Sequence, residues 1–281
     1  MKIRYLLLFI ALPLQSFCGT MDTVRHSATV QDTVSGEYKS QIISEESDSP
    51  GINWNIPMAI GSIGITAILL KTDQHTSDAL FQWKMNHHFA GQVSRNITNL
   101  GDGKASLAIF GGAILYSLAS DNKRPLELGK IGLESFVFSG VVTQLLKQVI
   151  GRQRPNVSTT KGGKFSGPFS YFRQKTGNRQ GISSFDAFPS GHTTTVFSAA
   201  TVIADYANTP WVTYSSYTIA TVASLSRITE RMHWASDVFV GGLIGYYSTK
   251  LVEKMNTFSP DVSLSPVASQ ESWGMMLRLK L

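Results

Sequence analysis

The sequence predicts an all-α fold: a bundle of about six core helices embedded in a membrane, followed by a short extended or hairpin C-terminal tail. Three observations favour this class. Charged residues make up only 16% of the 281 residues, against roughly 25% in soluble domains. Apolar stretches of helical length recur along the chain and are separated by Gly, Pro or polar turns. The last residues instead partly alternate between apolar and polar side chains, which is typical of a strand.

Residues 1–19 resemble a secretory signal. Two basic residues precede an apolar run over residues 5–14, and the small residues Ser16 and Cys18 follow. This order is typical of a signal peptide. The alternative is an uncleaved N-terminal anchor, although the apolar run is short for a membrane span. Cys18 is the one cysteine of the chain, which excludes an internal disulfide and a cysteine-based metal site.

The rest of the chain divides into three parts. Residues 20–50 are rich in Ser, Thr, Asp and Glu with few apolar anchors, so we expect a flexible linker. Residues 54–254 should form the helical domain, and residues 255–281 should form the C-terminal tail. Short amphipathic helices are expected within 72–100. The six core helices are predicted at 54–70, 104–120, 126–150, 190–207, 211–228 and 232–254.

Residues 156–188 form a long connection with many Gly, Ser and Thr and no long apolar period. The segment carries five basic residues and a single acid, Asp186. A connection of this length inside a compact domain is usually functional or disordered. We therefore expect it to flank a site for an acidic ligand, and the alternative is a solvated loop with incidental charge.

The first cluster that indicates chemistry is Lys147, Arg154 and Pro155. The two cations lie seven residues apart, close to two helical turns, so they would point to one side if the helix continued. Pro155 disfavours helix in the residue before it. Two cations at the end of an apolar helix indicate an anion site, although cations there can also simply complement the helix dipole.

The second cluster is the run Pro189-Ser190-Gly191-His192, which opens a predicted helix. Ser190 is a plausible N-cap, and Gly191 allows close approach to the free backbone N–H groups of the helix start. Such N–H groups bind phosphate well. His192 would lie at the rim of this cradle, and its alternative is an ordinary polar or capping role.

The third cluster contains Arg227, His233 and Asp237. His233 and Asp237 are four residues apart, so on one helix they would share a face. A carboxylate there can hold one imidazole nitrogen as N–H and leave the other free to attack. Arg227 could fork onto phosphate oxygens. The alternative is a surface His–Asp pair.

In order, the three clusters read Lys-x6-Arg-Pro, Pro-Ser-Gly-His and Ser-Arg-x5-His-x3-Asp across residues 147–237. This pattern resembles the type 2 phosphatidic acid phosphatase superfamily, which also includes class A bacterial acid phosphatases and vanadium haloperoxidases. All three motifs match without a gap, and the helices that carry them would cover about 54–254. Three spaced motifs in order are far more specific than any one of them.

The resemblance implies an all-α core and a phosphohistidine mechanism. By that likeness His233 would attack phosphorus, and Asp237 would orient the His233 imidazole and favour its charged form. His192 would protonate the leaving alkoxide and later activate water. Neither a metal nor another cofactor is implied. The groups that would hold the phosphate oxygens are Lys147, Arg154, Arg227, Ser190 and Gly191.

The expected substrate is a lipid phosphate of the bacterial cell envelope: phosphatidic acid, phosphatidylglycerol phosphate, undecaprenyl diphosphate or the phosphates of lipid A. The chain would then associate with a membrane, with the site facing the periplasm. The net charge is +6, but the basic residues form no stripe interleaved with aromatics, so nucleic acid is not expected. The alternatives are a soluble periplasmic acid phosphatase, a haloperoxidase and a non-enzymatic anion-binding module.

Two features predict conflicting topologies. The resemblance to the membrane branch of the superfamily implies that the helix before the first motif ends outside the cytoplasm. The turn at 121–130 would then be cytoplasmic, and its Lys and Arg residues agree with the positive-inside rule. Tracing backwards puts residues 20–50 in the cytoplasm, whereas a cleaved signal puts them outside.

Overall fold

The computed structural model describes residues 55–120, 122, 124–168, 170, 182–258, 262–268 and 273–279. The chain divides into two compact units, Met1–Ile63 and Gly64–Leu281. Only the beginning of one helix of the first unit is described, so the signal and linker predicted for residues 1–19 and 20–50 lie outside the described residues. The candidate site lies entirely in the second unit.

Most of the described residues are helical. The helices are α1 (Asn55–Asn86), α2 (His88–Ile97), α3 (Lys104–Ala119), α4 (Arg124–Ile150), α5 (Gly191–Ala207), α6 (Pro210–Thr229) and α7 (Ala235–Phe258). Two short 3-10 helices, Thr98–Asp102 and Ile182–Phe185, lie between them. Two strands follow, β1 (Val262–Ala268) and β2 (Trp273–Leu279). The predicted all-α class is therefore confirmed.

The helix α1 is much longer than predicted. The sequence indicated a helix over 54–70 and separate short helices over 72–100, whereas α1 continues to Asn86. No Gly or Pro occurs between Ile65 and Asn86, so nothing in that stretch interrupts the helix. The break predicted at residues 101–103 is present, and Gly103 has a φ of +78° immediately before α3 begins.

The C-terminal tail forms the hairpin that the alternating sequence indicated. Strands β1 and β2 pair antiparallel, with Val262 opposite Leu279 and Ala268 opposite Trp273. Within the described ranges, none of the helices combines the length and the apolar character that crossing a membrane requires.

Glycines allow α7 to lie directly against the beginning of α5. A Cβ on Gly241 would stand 2.6 Å from the carbonyl oxygen of Ser190, and a Cβ on Gly245 would overlap the carbonyl oxygen of Thr194. The Thr194 hydroxyl donates to the Gly241 carbonyl at 3.1 Å. This contact places the first turns of α5 and α7 side by side, which is where the second and third motifs end.

Helices α3 and α4 pack through a similar contact. The ring of Phe110, which is 1% exposed, lies against the Cα of Gly132, and a Cβ there would overlap the ring. Gly129 is equally close to Ile114. The two helices approach so closely because α4 has no side chain at these positions.

We expect Gly132→Ala to lower the free energy of unfolding by about 1–3 kcal/mol, because the new methyl group must displace a buried ring. Gly140→Ala is the matched control on the same helix, since nothing lies within 4 Å of a Cβ there. In the control, the free energy of unfolding should rise by about 0.5–1 kcal/mol, because alanine lacks the backbone flexibility of glycine. Chemical denaturation followed by circular dichroism measures both, and equal values would contradict the packing.

Candidate active site

Helix ends bring the three motifs together. The last turn of α4 holds Lys147, the first turn of α5 holds His192, and the last turn of α6 holds Arg227. Burial lowers the pKa of His233 well below its ordinary value, and the charges of three cations lower it further. These cations are Lys147, Arg154 and Arg227. Residues that are distant in the sequence therefore form one positively charged site.

The environment of His233 fixes its tautomer. The side chain is buried, and its Nδ1 lies 2.7 Å from the carbonyl oxygen of Ala187. A carbonyl oxygen only accepts hydrogen bonds, so Nδ1 carries the hydrogen and Nε2 keeps a free electron pair. Because its pKa is lowered, the imidazole is neutral near pH 7. A neutral imidazole with a bare Nε2 can act as a nucleophile.

The hydrogen bond expected between His233 and Asp237 is not made. Their closest nitrogen and oxygen, Nδ1 and Oδ2, are 3.8 Å apart. The two residues do not share a helix face, because α7 begins at Ala235 and His233 lies before it. The carboxylate instead accepts the Trp234 backbone N–H at 2.7 Å, which caps α7. The Asp237 carboxylate is thus a neighbouring charge for the His233 imidazole. The acceptor for the imidazole Nδ1–H is the Ala187 carbonyl oxygen.

Arg152 and Asp73 form a buried ionic network with Asp237 that the sequence did not reveal. The Arg152 guanidinium donates to Asp237 Oδ1 at 2.5 Å and to Asp73 Oδ2 at 2.6 Å. Ser236 bonds to the same groups, through its hydroxyl to both Arg152 and Asp73 and through its N–H to Asp73. All of these side chains are at most 1% exposed.

Burial shifts both carboxylates of this network in the same direction. It raises the pKa of Asp237 to about 6 and also raises the pKa of Asp73, while the Arg152 charge opposes both shifts. The guanidinium therefore favours the ionised form of both buried carboxyls. Its sequence signal was weak, since Arg152 is one basic residue among several near the end of α4.

Lys147 and Arg154 do not lie on one helix face. Helix α4 ends at Ile150, and Gly151 has a φ of +55°, so the chain turns before it reaches Arg154. The two cations meet at Asp186 instead. The Arg154 Nε and Nη2 donate to the Asp186 carboxylate at 2.7 and 3.0 Å, and the Lys147 Nζ donates to the Asp186 carbonyl oxygen at 2.8 Å.

The charges in this cluster stabilise one another. Burial lowers the pKa of Lys147, and the nearby Asp186 carboxylate opposes that shift. Burial alone would raise the pKa of Asp186, but the Arg154 hydrogen bond and the Lys147 charge outweigh it and the pKa is lowered. Asp186 was visible in the sequence as the single acid of a basic segment, without a role.

Arg227 has a donor that no described residue uses. Its Nη1 donates to the Thr98 hydroxyl at 2.5 Å, whereas its Nε is buried with no hydrogen-bond partner in the described part of the chain. Burial and then the Arg154 charge lower its pKa. A buried, unpaired N–H costs roughly 1–3 kcal/mol, so an anion that accepted from it would be stabilised.

His192 is held by the break between α2 and α3. Its Nε2 lies 2.6 Å from Asp102 Oδ1. The turn can lie this close because Gly101 has no side chain. A Cβ there would stand only 2.7 Å from the His192 Cβ. Burial and then the Arg227 charge lower the pKa of His192, while Asp102 raises it. The Gly-Asp-Gly sequence, predicted only to break the chain, also supplies a partner for His192.

Ser190 is the N-cap of α5, as predicted, and accepts from the Thr193 N–H. Its own N–H is already used, because it donates to the Asp237 carbonyl oxygen at 3.0 Å. Ser190 therefore has no spare backbone donor for phosphate, contrary to its predicted role. Gly191 stands at the first helical position, where the backbone N–H has no acceptor within the helix.

Taken together, the site holds a neutral imidazole with a free electron pair, three cations and a helix N-terminus. These groups suit the binding of a phosphate and attack on its phosphorus. In the part of the chain that the structure describes, no cluster of three or more His, Cys, Asp or Glu side chains is arranged to hold a metal ion.

Comparison with known proteins confirms the predicted resemblance. Residues 131–259 match the family model for the PAP2 superfamily, a range that includes all three motifs. A lipid A 1-phosphatase of Porphyromonas gingivalis is 42% identical over 62 residues, which is 21% of this chain and 14% of that protein. A lipid A 1-phosphatase of Rhizobium johnstonii is 31% identical over 156 residues, which is 52% of this chain and 57% of that protein.

The chain thus spans less than two thirds of the length of each of these two relatives. Among solved structures, a transmembrane PAP2-type phosphatidylglycerolphosphate phosphatase of Bacillus subtilis is similar, with a TM-score of 0.49 and 19% sequence identity. That similarity covers 71% of this chain and 96% of the other.

Proposed function

Because residues 131–259 match the PAP2 superfamily, we propose that this protein is a phosphatase that hydrolyses a lipid phosphate of the bacterial cell envelope through a phosphohistidine on His233. The observation that carries the proposal is the state of His233. Its Nδ1–H is committed to Ala187, and its bare Nε2 stands among the positive charges of the site. An imidazole held in this way is a nucleophile beside an anion site.

The proposed reaction has two steps. In the first, the electron pair of His233 Nε2 forms a bond to phosphorus while the bond from phosphorus to the leaving oxygen breaks, and His192 gives that oxygen a proton. In the second, water attacks phosphorus, His192 takes a proton from the water, and the P–N bond breaks. Inorganic phosphate leaves and both histidines return to their initial states.

The surrounding groups have separate roles in this scheme. Lys147, Arg154, Arg227 and the Gly191 N–H would hold the phosphate oxygens, where preorganised donors stabilise the spread negative charge of the transition state. The buried Nε of Arg227 would gain the acceptor that it lacks. The bound phosphate would raise the pKa of His192, because an anion favours the imidazolium, and His192 would then hold the proton that it must give.

Exposed apolar side chains support a lipid substrate. On α4, Val141, Leu145 and Val149 follow one another at every fourth position and are between 53% and 62% exposed. Helix α3 carries a second exposed set, which comprises Leu107, Ile109, Leu115, Tyr116 and Leu118. Apolar patches of this kind are typical of surfaces that meet a membrane or another protein. Association with a membrane, with the site facing the periplasm, is therefore part of the proposal.

The relatives suggest which lipid to test first. The two relatives described above are lipid A 1-phosphatases, so we propose a phosphate of lipid A as the leading substrate. Phosphatidylglycerol phosphate, phosphatidic acid and undecaprenyl diphosphate are the other candidates. The export signal predicted for residues 1–19 fits a substrate in the envelope.

A substrate panel in the presence of EDTA tests the proposal. We expect phosphate release from lipid A in detergent micelles or vesicles, a kcat/KM at least about 10-fold lower for para-nitrophenyl phosphate, and no loss of rate on metal chelation. Equal rates on all substrates would indicate a non-specific acid phosphatase. Loss of activity in EDTA would contradict the metal-free mechanism, and no turnover of any substrate would contradict the phosphatase itself.

A further inference from the structure

The two cations of the proposed phosphate site share one anchor. Asp186 bonds to Arg154 through its carboxylate and to Lys147 through its backbone carbonyl oxygen. Its carboxylate also forms an ion pair with the Lys147 Nζ at 3.6 Å. The side chains of all three residues are between 12% and 17% exposed, so solvent screens these contacts only partly.

The backbone around Asp186 is fixed on both sides. The Arg154 N–H donates to the Ser184 carbonyl oxygen at 3.0 Å, and the Ala187 N–H donates to the Arg152 carbonyl oxygen at 3.0 Å. Ala187, in turn, accepts the Nδ1–H of His233. Adjacent residues of one short segment thus contact both the cations and the proposed nucleophile, so a shift of Asp186 would alter their relative positions.

Asp186 leaves most donors of the two cations unused. A guanidinium has five N–H donors, and the fork on Nε and Nη2 takes two of them, which leaves three that Asp186 does not occupy. An ammonium has three donors, and one is given to the Asp186 carbonyl. Arg154 can therefore bind Asp186 by one edge and a phosphate by the other.

We infer that Asp186 is the positioning residue of the phosphate site, which holds Lys147 and Arg154 at the spacing that a phosphate group requires. This inference rests on the proposed function. The contrasting role would be a carboxylate that occupies the place of the phosphate and must leave when substrate binds. The unused donors and the fixed backbone favour a permanent support over a displaceable one.

The test compares Asp186→Asn with Asp78→Asn in the full-length protein. Asp78 is the matched control, because it pairs with the guanidinium of Arg231 at 3.0 Å on a more exposed part of the surface. We expect Asp186→Asn to weaken the binding of inorganic phosphate about 10-fold and to lower kcat/KM about 10–100-fold, the scale of a misplaced binding group. Asp78→Asn should match the wild type.

A pH profile separates positioning from general destabilisation. Asp186 raises the pKa of Lys147, so its neutralisation should lower that pKa and move the alkaline limb of kcat/KM to lower pH. Asp186→Glu keeps the charge and displaces it by one methylene. This variant should bind inorganic phosphate more weakly and keep the alkaline limb of kcat/KM at its wild-type pH. The charged and titratable groups that act on Lys147 or feel its charge are Asp186, Arg154, Asp237, His192 and His233.

The outcomes distinguish this inference from the proposed function. If the wild type neither binds inorganic phosphate nor releases it from any substrate, the proposed function is wrong. If the wild type does both and Asp186→Asn equals Asp78→Asn in affinity, kcat/KM and pH profile, only the positioning role is wrong. Tighter phosphate binding by Asp186→Asn would also overturn it, because the carboxylate would then compete with phosphate.

Discussion

Substitution of His233 by alanine should lower kcat/KM by several orders of magnitude, up to roughly 10⁶-fold, the scale observed when a covalent nucleophile is removed from an enzyme. In the proposed reaction the Nε2 electron pair forms the bond to phosphorus, and alanine offers no group in its place. The Nε2 of His192, the other histidine of the site, lies against Asp102. Release of inorganic phosphate from the best substrate of the panel measures the loss.

His75→Ala is the matched control, because His75 is an exposed histidine on α1. It should leave the rate unchanged, and both variants should be folded by circular dichroism. Rapid quenching of the wild type in alkali, where a phosphoramidate survives, should trap phosphate on the protein, and His233→Ala should trap none. Wild-type turnover by a folded His233→Ala protein would rule out the phosphohistidine.

The sequence predicted the fold well wherever helix ends carry their own signals. Gly101 and Gly103 marked the break before α3, and Ser190 marked the beginning of α5. The length of α1 differs from the prediction, because the composition changes from apolar to mixed at Lys71 while the helix continues to Asn86. A helix continues through such a change when neither Gly nor Pro interrupts it.

The candidate site was predictable only where residue type and spacing form a motif. Nothing in the sequence indicates that Ala187 is the acceptor for His233, because the contact uses a backbone carbonyl that every residue has. The pairing of Asp73 with Arg152 joins residues 79 positions apart and depends on how α1 packs in the bundle. The His233–Asp237 hydrogen bond was wrongly predicted because it assumed that α7 began before His233.

We expect Arg152→Met to lower the free energy of unfolding by about 3–5 kcal/mol, the range for removing one partner of a buried ion pair. The Arg152 guanidinium is buried between two carboxylates, Asp73 and Asp237. Methionine fills much of its volume and neutralises neither charge. The loss is measured by chemical denaturation and should exceed that of any single surface ion pair, for which about 0–1 kcal/mol is usual.

The pH dependence of this loss identifies its cause. Burial raises the pKa of Asp237 to about 6 and Arg152 opposes that shift, so the pKa should rise further in Arg152→Met. A carboxyl whose pKa is higher in the folded state destabilises the fold above that pKa and is relieved as it takes up a proton. The deficit relative to the wild type should therefore be largest well above pH 6 and narrow as the pH falls towards 6, where Asp237 takes up a proton in both proteins.

Two further variants complete this test. Arg231→Met removes the guanidinium of a more exposed pair with Asp78 and should lose at most about 1 kcal/mol, with little change between pH 5 and 8. Asp73→Asn combined with Arg152→Met leaves one buried carboxylate instead of two and should recover part of the stability. A deficit that is independent of pH, or unchanged in the double variant, would mean that lost packing rather than unpaired charge destabilises the protein. The same network holds Asp237 beside His233. A deficit due to unpaired charge would therefore mean that Arg152 sets the ionisation of the carboxylate next to the proposed nucleophile.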